Sequence, residues 1–234
     1  MKRALLALLA ALLFAPAAAQ RPSSAVRQPS PTAQRMERAG LVDVARLDTT
    51  LRVDLMYARA DNFTGRVLYG DLTEAYLHPE AARALVEAQR LLRTIHPGYR
   101  LLVCDAARPM SVQQTMWEAV AGTPSENYVS NPANGGGTHN YGFAVDVTIY
   151  DLVRRDTIPM GVPVDHLFSE SHIDREAELV RTGRISAEAK ANRELLRYVM
   201  MQAGFHPLRT EYWHFNYKGY RREGLRRAGY RVIE

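Results

Sequence analysis

The chain has 234 residues, 47% hydrophobic and 24% charged, which is enough for one sizeable core and too short to expect two. Its formal net charge of +5 falls to +3 without Lys2 and Arg3, and acidic residues are mixed with the basic ones, so no basic stripe marks nucleic acid as a partner. The single cysteine, Cys104, excludes an internal disulfide, and its place in the apolar run Leu101-Leu102-Val103-Cys104 makes it a core residue rather than a nucleophile.

In chain order, Met1-Lys2-Arg3, an apolar stretch over 4–14 and Ala17-Ala18-Ala19 have the layout of a secretory signal peptide over residues 1–19. The apolar run is shorter than the roughly 20 residues that a bilayer span needs, and no cysteine follows it to carry a lipid. The expectation is an exported protein, periplasmic or secreted, with no stable membrane insertion once the leader is cut. Residues 20–40 are rich in Pro, Ser, Gln and Arg without apolar periodicity and predict a disordered linker, with the folded domain over 41–234. Residues 51–57 alternate apolar and polar side chains like a strand, and 61–66 form a turn. Pro79 opens a helix in which Ala81, Ala84, Leu85, Ala88, Leu91, Leu92 and Ile95 recur at helical spacing until His96-Pro97-Gly98 stops it. A buried strand over 99–105 and a helix over 111–121 follow, with Arg108 between them just before Pro109. A loop rich in Pro, Asn and Gly over 122–137 is placed to rim a pocket, and 154–171 is irregular. Ser186 caps a helix over 187–203 that Gly204 ends. The aromatic run 212–217 is a strand, and the basic tail 218–234 is a short helix packed on the surface.

The chemistry concentrates in residues 135–151, where His139 and Asp146 lie either side of Gly142. Seven residues apart on a straight strand, the two side chains would face opposite ways, so they converge only if the chain bends, and Gly142 permits the bend. A third ligand is available in Glu211-Tyr212-Trp213-His214. Two histidines and a carboxylate form a three-ligand zinc site with one position open for water, the catalytic pattern. Either Asp146 ligates and Glu211 is the base that moves the water's proton, or Glu211 ligates and Asp146 does not. Arg108 is either a surface arginine or a cation aimed at the developing oxyanion. His78, His96, His172 and His206 read as surface or capping residues, whereas His166, beside Asp165, stays open.

Five segments together resemble the zinc D-alanyl-D-alanine dipeptidases, a family that includes enzymes of vancomycin resistance. They are residues 51–66, Asp105-Ala106-Ala107-Arg108-Pro109, residues 138–146, Met160-Gly161-Val162-Pro163-Val164-Asp165 and Glu211-Tyr212-Trp213-His214. The resemblance implies an α+β fold, an antiparallel β-sheet core flanked by helices with the zinc site at the sheet, as in the D-Ala-D-Ala metallopeptidase and hedgehog-like group. It implies one Zn²⁺ on His139, Asp146 and His214, Glu211 as base, Arg108 stabilising the transition state and Asp165 holding the ammonium of D-Ala-D-Ala. The segment His139-Asn140-Tyr141-Gly142 is also similar to cell-wall endopeptidases and carboxypeptidases of the same group, so cleavage of peptidoglycan stem peptides is the alternative. A zinc-containing wall-binding module without activity is the reading outside enzymes, and Glu211 argues against it.

Overall fold

A computed structural model describes residues 29–234. The leader over 1–19 and the first part of the linker lie outside these residues. Helix α1 (Pro31–Arg38) corrects the linker expectation for the remainder. Ser30 Oγ accepts from the Ala33 amide at 3.1 Å and Pro31 occupies the first turn, while Ala33 and Met36 are buried. Two apolar residues three apart are too few to show as periodicity, yet they suffice to dock one helical turn on the core.

Next come β1 (Val42–Asp43), α2 (Val44–Leu47), β2 (Arg52–Val53), β3 (Tyr76–Leu77) and α3 (Pro79–Ile95). They are followed by β4 (Tyr99–Asp105), α4 (Met110–Val120), β5 (Ala144–Asp151), β6 (Asp156–Thr157), α5 (Glu176–Arg181), α6 (Ala187–Gln202), β7 (Phe205–Leu208), β8 (Glu211–Tyr217) and α7 (Arg222–Arg227). The strand expected over 51–57 is cut to two residues, because Leu55, Met56 and Tyr57 are all buried and a 3-10 turn, Met56–Ala58, turns successive side chains inward.

The main sheet runs β2-β4-β5-β8-β7, with β6 folded back on β5. All its pairings are antiparallel except β2 with β4. Strand alternation puts Leu101, Val103, Val145, Val147, Ile149 and Phe215 on one face, each fully buried. Helices α3 and α6 touch each other and also touch β4 and β7 respectively, so both cover that face. Asp146 and His214, direct cross-strand partners, project from the opposite face.

The tail is more than a surface helix. Leu225 and Ile233 are buried, the Ile233 amide donates to the Asn140 carbonyl at 2.8 Å, and its own carbonyl accepts from the Met110 amide at 2.7 Å. No helix among the described residues is long and apolar enough to cross a membrane.

Candidate active site

Strand register brings the first two groups together, since Asp146 on β5 faces His214 on β8 across the sheet. His139 arrives from outside the sheet on a 3-10 turn, Thr138–Tyr141, closed by Gly142 at φ 72°. A Cβ at Gly142 would lie 2.9 Å from Leu41 Cδ2 and 3.0 Å from the His78 amide nitrogen, so both the turn and the packing call for glycine. The expected bend is therefore present and does what convergence requires.

Asp146 Oδ1 lies 3.0 Å from His214 Nδ1 and 3.3 Å from His139 Nε2, and the two ring nitrogens are 3.1 Å apart. The opposite nitrogen of each ring is already engaged. His139 Nδ1 donates to the Ala106 carbonyl at 2.7 Å, and His214 Nε2 donates to Asn216 Oδ1 at 3.1 Å. In those tautomers both imidazoles aim lone pairs at a carboxylate lone pair in a buried site, an arrangement that repels itself unless a proton or a cation sits among the three. Burial opposes the charge on Asp146, and a positive charge shared with His139 and His214 is what holds its carboxyl well below the usual range. Two nitrogens and one carboxylate oxygen, oriented by outer hydrogen bonds, suit zinc.

Arg108 is buried and fixed. Its Nε donates to Asp105 Oδ2 at 3.1 Å and its Nη1 to Gln113 Oε1 at 2.9 Å, while its backbone amide donates to the His139 carbonyl at 3.0 Å. Burial works against its charge, and the Asp105 carboxylate more than offsets this, so the guanidinium stays cationic. Asn140 ties the same pieces from the other side, donating through Nδ2 to the Arg108 carbonyl at 2.9 Å.

A cavity of about 530 Å³ is lined by the His139, Asp146 and His214 triad together with Tyr57, Arg108, Asp165 and Glu211. All six residues singled out in the sequence therefore meet in one space. Burial pushes the Glu211 carboxyl up to about 7, with His214 pulling it down and Asp146 raising it further. Burial also raises Asp165 to about 6, against hydrogen bonds from the Phe63 amide at 3.0 Å and the Tyr57 hydroxyl at 2.8 Å. His166 stands apart from the triad, its Nε2 3.8 Å from Glu170.

Sequence reasoning missed the supports. Asn216, two residues after His214 on the same strand, accepts from both His214 and the Thr138 hydroxyl; its spacing was the available signal. Asp105, fully buried, accepts from Arg108 and the Tyr69 hydroxyl. An acid at a strand end three residues before an arginine could have been noticed. Gln113 carried no signal.

A family model described as D-ala-D-ala dipeptidase matches residues 37–224. The D-alanyl-D-alanine dipeptidase of Escherichia coli K12 is 31% identical over 175 residues, covering 75% of this chain and 83% of that protein. Proteins of the same name from Enterococcus faecalis and Enterococcus faecium are 31% and 29% identical, each match covering 70% of this chain and 85% of the relative. A solved LdcB LD-carboxypeptidase aligns at TM-score 0.38 and 18% identity over 68% of this chain and 67% of that one, too distant to bear on function. With the matched residues spanning all the strands of the main sheet and every member of the converging cluster, the chain belongs to the D-Ala-D-Ala dipeptidase family.

Proposed function

We propose that this protein is an exported zinc dipeptidase that hydrolyses D-Ala-D-Ala in cell-wall peptide turnover. The observation that carries the reading is the meeting of lone pairs from His139, Asp146 and His214 in a cavity that Glu211 also lines. His139, Asp146 and His214 would hold zinc, which when bound would supply a Lewis acid able to bring the pKa of a water to about 7.

The protein's own groups do the rest. Glu211, with its carboxyl poised near neutrality by burial, takes the proton from the attacking water and hands it to the departing amine. Arg108, held cationic and immobile by Asp105 and Gln113, faces the charge that develops on the carbonyl oxygen. One donor aimed at such an oxygen is worth about 2.7–4 kcal/mol. Asp165 accepts the substrate's ammonium, which selects peptides with a free amino end close to the scissile bond.

Purified protein with zinc should release D-Ala from the dipeptide, and Glu211→Gln should lower kcat by about 10²–10⁴-fold while retaining one zinc per chain. Absence of release by the zinc-loaded wild type sinks the reading and leaves a stem-peptide peptidase or a wall-binding module. The cavity continues along His206, Leu208 and Tyr220, room that a dipeptide need not fill. That favours, as second reading, a carboxypeptidase or endopeptidase on stem peptides, which faster cleavage of pentapeptide than dipeptide would establish.

A further inference from the structure

The segment 159–170, which carries Asp165 into the cavity, has no regular secondary structure until a 3-10 turn at Ser169–Ser171. Asp165 itself sits at φ 74°, a left-handed conformation that a residue with a Cβ holds only when its surroundings impose it. Its carboxylate is met by the Phe63 amide and the Tyr57 hydroxyl, and the loop that carries it is gripped from α6. Arg193 is fully buried, its Nε donates to the Met160 carbonyl at 2.7 Å and its Nη1 donates to the Glu170 carbonyl at 3.0 Å. One guanidinium thus grips both ends of the loop. Its neighbour Asn192 adds a bond from Nδ2 to the Pro159 carbonyl at 2.8 Å. From β8, the Tyr212 hydroxyl donates to the Val162 carbonyl at 2.8 Å, and the Tyr212 ring lies 4.4 Å beneath the Arg193 guanidinium.

Among the described residues the carboxylate that pairs with Arg193 is Glu176, at 4.0 Å, and Glu176 already accepts two bonds from Arg197. Among the same residues its buried Nη2 meets no hydrogen-bond partner. A buried cation so sparsely compensated is costly to keep if packing is its only use. What it does uniquely is present two donors, in fixed fork geometry, to carbonyls ten residues apart in sequence.

We propose that Arg193 is a positioning residue for substrate selection: it fixes the loop that sets Asp165 against the peptide's amino end, and so governs discrimination between free and blocked amines. This rests on the reading of Asp165 as the ammonium site. Arg193 touches neither substrate nor metal ligands. Lysine in its place keeps the charge but cannot span both carbonyls, so the loop loosens while the triad and Glu211 stay in place.

The test compares kcat/KM for D-Ala-D-Ala with that for its N-acetylated form in zinc-loaded wild type, Arg193→Lys, Asn192→Ala and Asp165→Asn. Partial unfolding lowers both rates alike and cancels in their ratio. Arg193→Lys should lower the ratio about ten- to a hundredfold, through KM for the free dipeptide, with Asn192→Ala moving it less in the same direction. Hydrogen exchange on the same proteins should show faster exchange across 160–168 and at the Phe63 amide, with β5 and β8 unchanged. An unchanged ratio in Arg193→Lys, where Asp165→Asn lowers it, overturns the Arg193 inference alone. An unchanged ratio in Asp165→Asn overturns the ammonium site instead. If Arg193→Lys does not fold, Asn192→Ala decides, and unaltered exchange over 160–168 there counts against the clamp.

Discussion

Asp165 is under opposing demands. Burial raises its carboxyl from 3.8 to about 6, so the folded state favours the protonated form, whereas an ammonium partner needs the carboxylate. A carboxyl whose pKa rises on folding contributes stability that is complete below about 4 and lost as pH climbs through about 6. Asp165→Asn should therefore raise the thermal midpoint at pH 8, by up to roughly 3 kcal/mol in stability, and leave it nearly unchanged at pH 4. Asparagine can still accept from the Phe63 amide and can donate to Tyr57, so the loop is kept. In wild type, KM for the free dipeptide should climb as pH falls below about 6. Asn216 offers a second test. Because it orients His214 and accepts from Thr138, Asn216→Ala should weaken zinc binding about 10–100-fold, measured by competition with a chelator.

Among the elements, the 3-10 turn Thr138–Tyr141 bears the sharpest constraint. Gly142→Ala places a Cβ in a left-handed residue against Leu41 and the His78 backbone, and should cost about 1–3 kcal/mol, read from urea unfolding, with a larger loss of zinc affinity than of stability. This turn was legible in advance because two ligands seven apart cannot meet along a straight strand. Helix α3 was legible from a clear period between Pro79 and its stop, α6 from the cap Ser186, whose Oγ accepts from the Ala189 amide at 2.9 Å, and strands β4 and β8 from their apolar and aromatic runs. Helix α1 was not, because its stability comes from where Ala33 and Met36 land and not from local pattern. Asp105 and Asn216 offered only a spacing, three before Arg108 and two after His214, and their roles come also from Tyr69 and Thr138, far away in the chain, which a single sequence does not place beside them.

At the scale of the molecule, the sheet divides the labour. Its aliphatic face, under α3 and α6, supplies rigidity, and its other face carries Asp146 and His214. Rigid strands hold those two side chains, while the His139 turn and the Asp165 loop are brought in by hydrogen bonds from elsewhere. The parallel pairing of β2 with β4 is the departure from an antiparallel sheet, and its two residues were too few to announce a direction.

Ile233 closes this scaffold from far along the chain, bonded on one side to the turn that bears His139 and on the other to the first residue of the helix that follows Arg108. Ile233 is therefore a latch, and removing it should release both partners. A protease that nibbled residues 229–234 would leave the His139, Asp146, His214, Glu211 and Arg108 side chains intact, yet should lower kcat about tenfold or more, with the Met110 amide, which donates to the Ile233 carbonyl, losing exchange protection before the strands do.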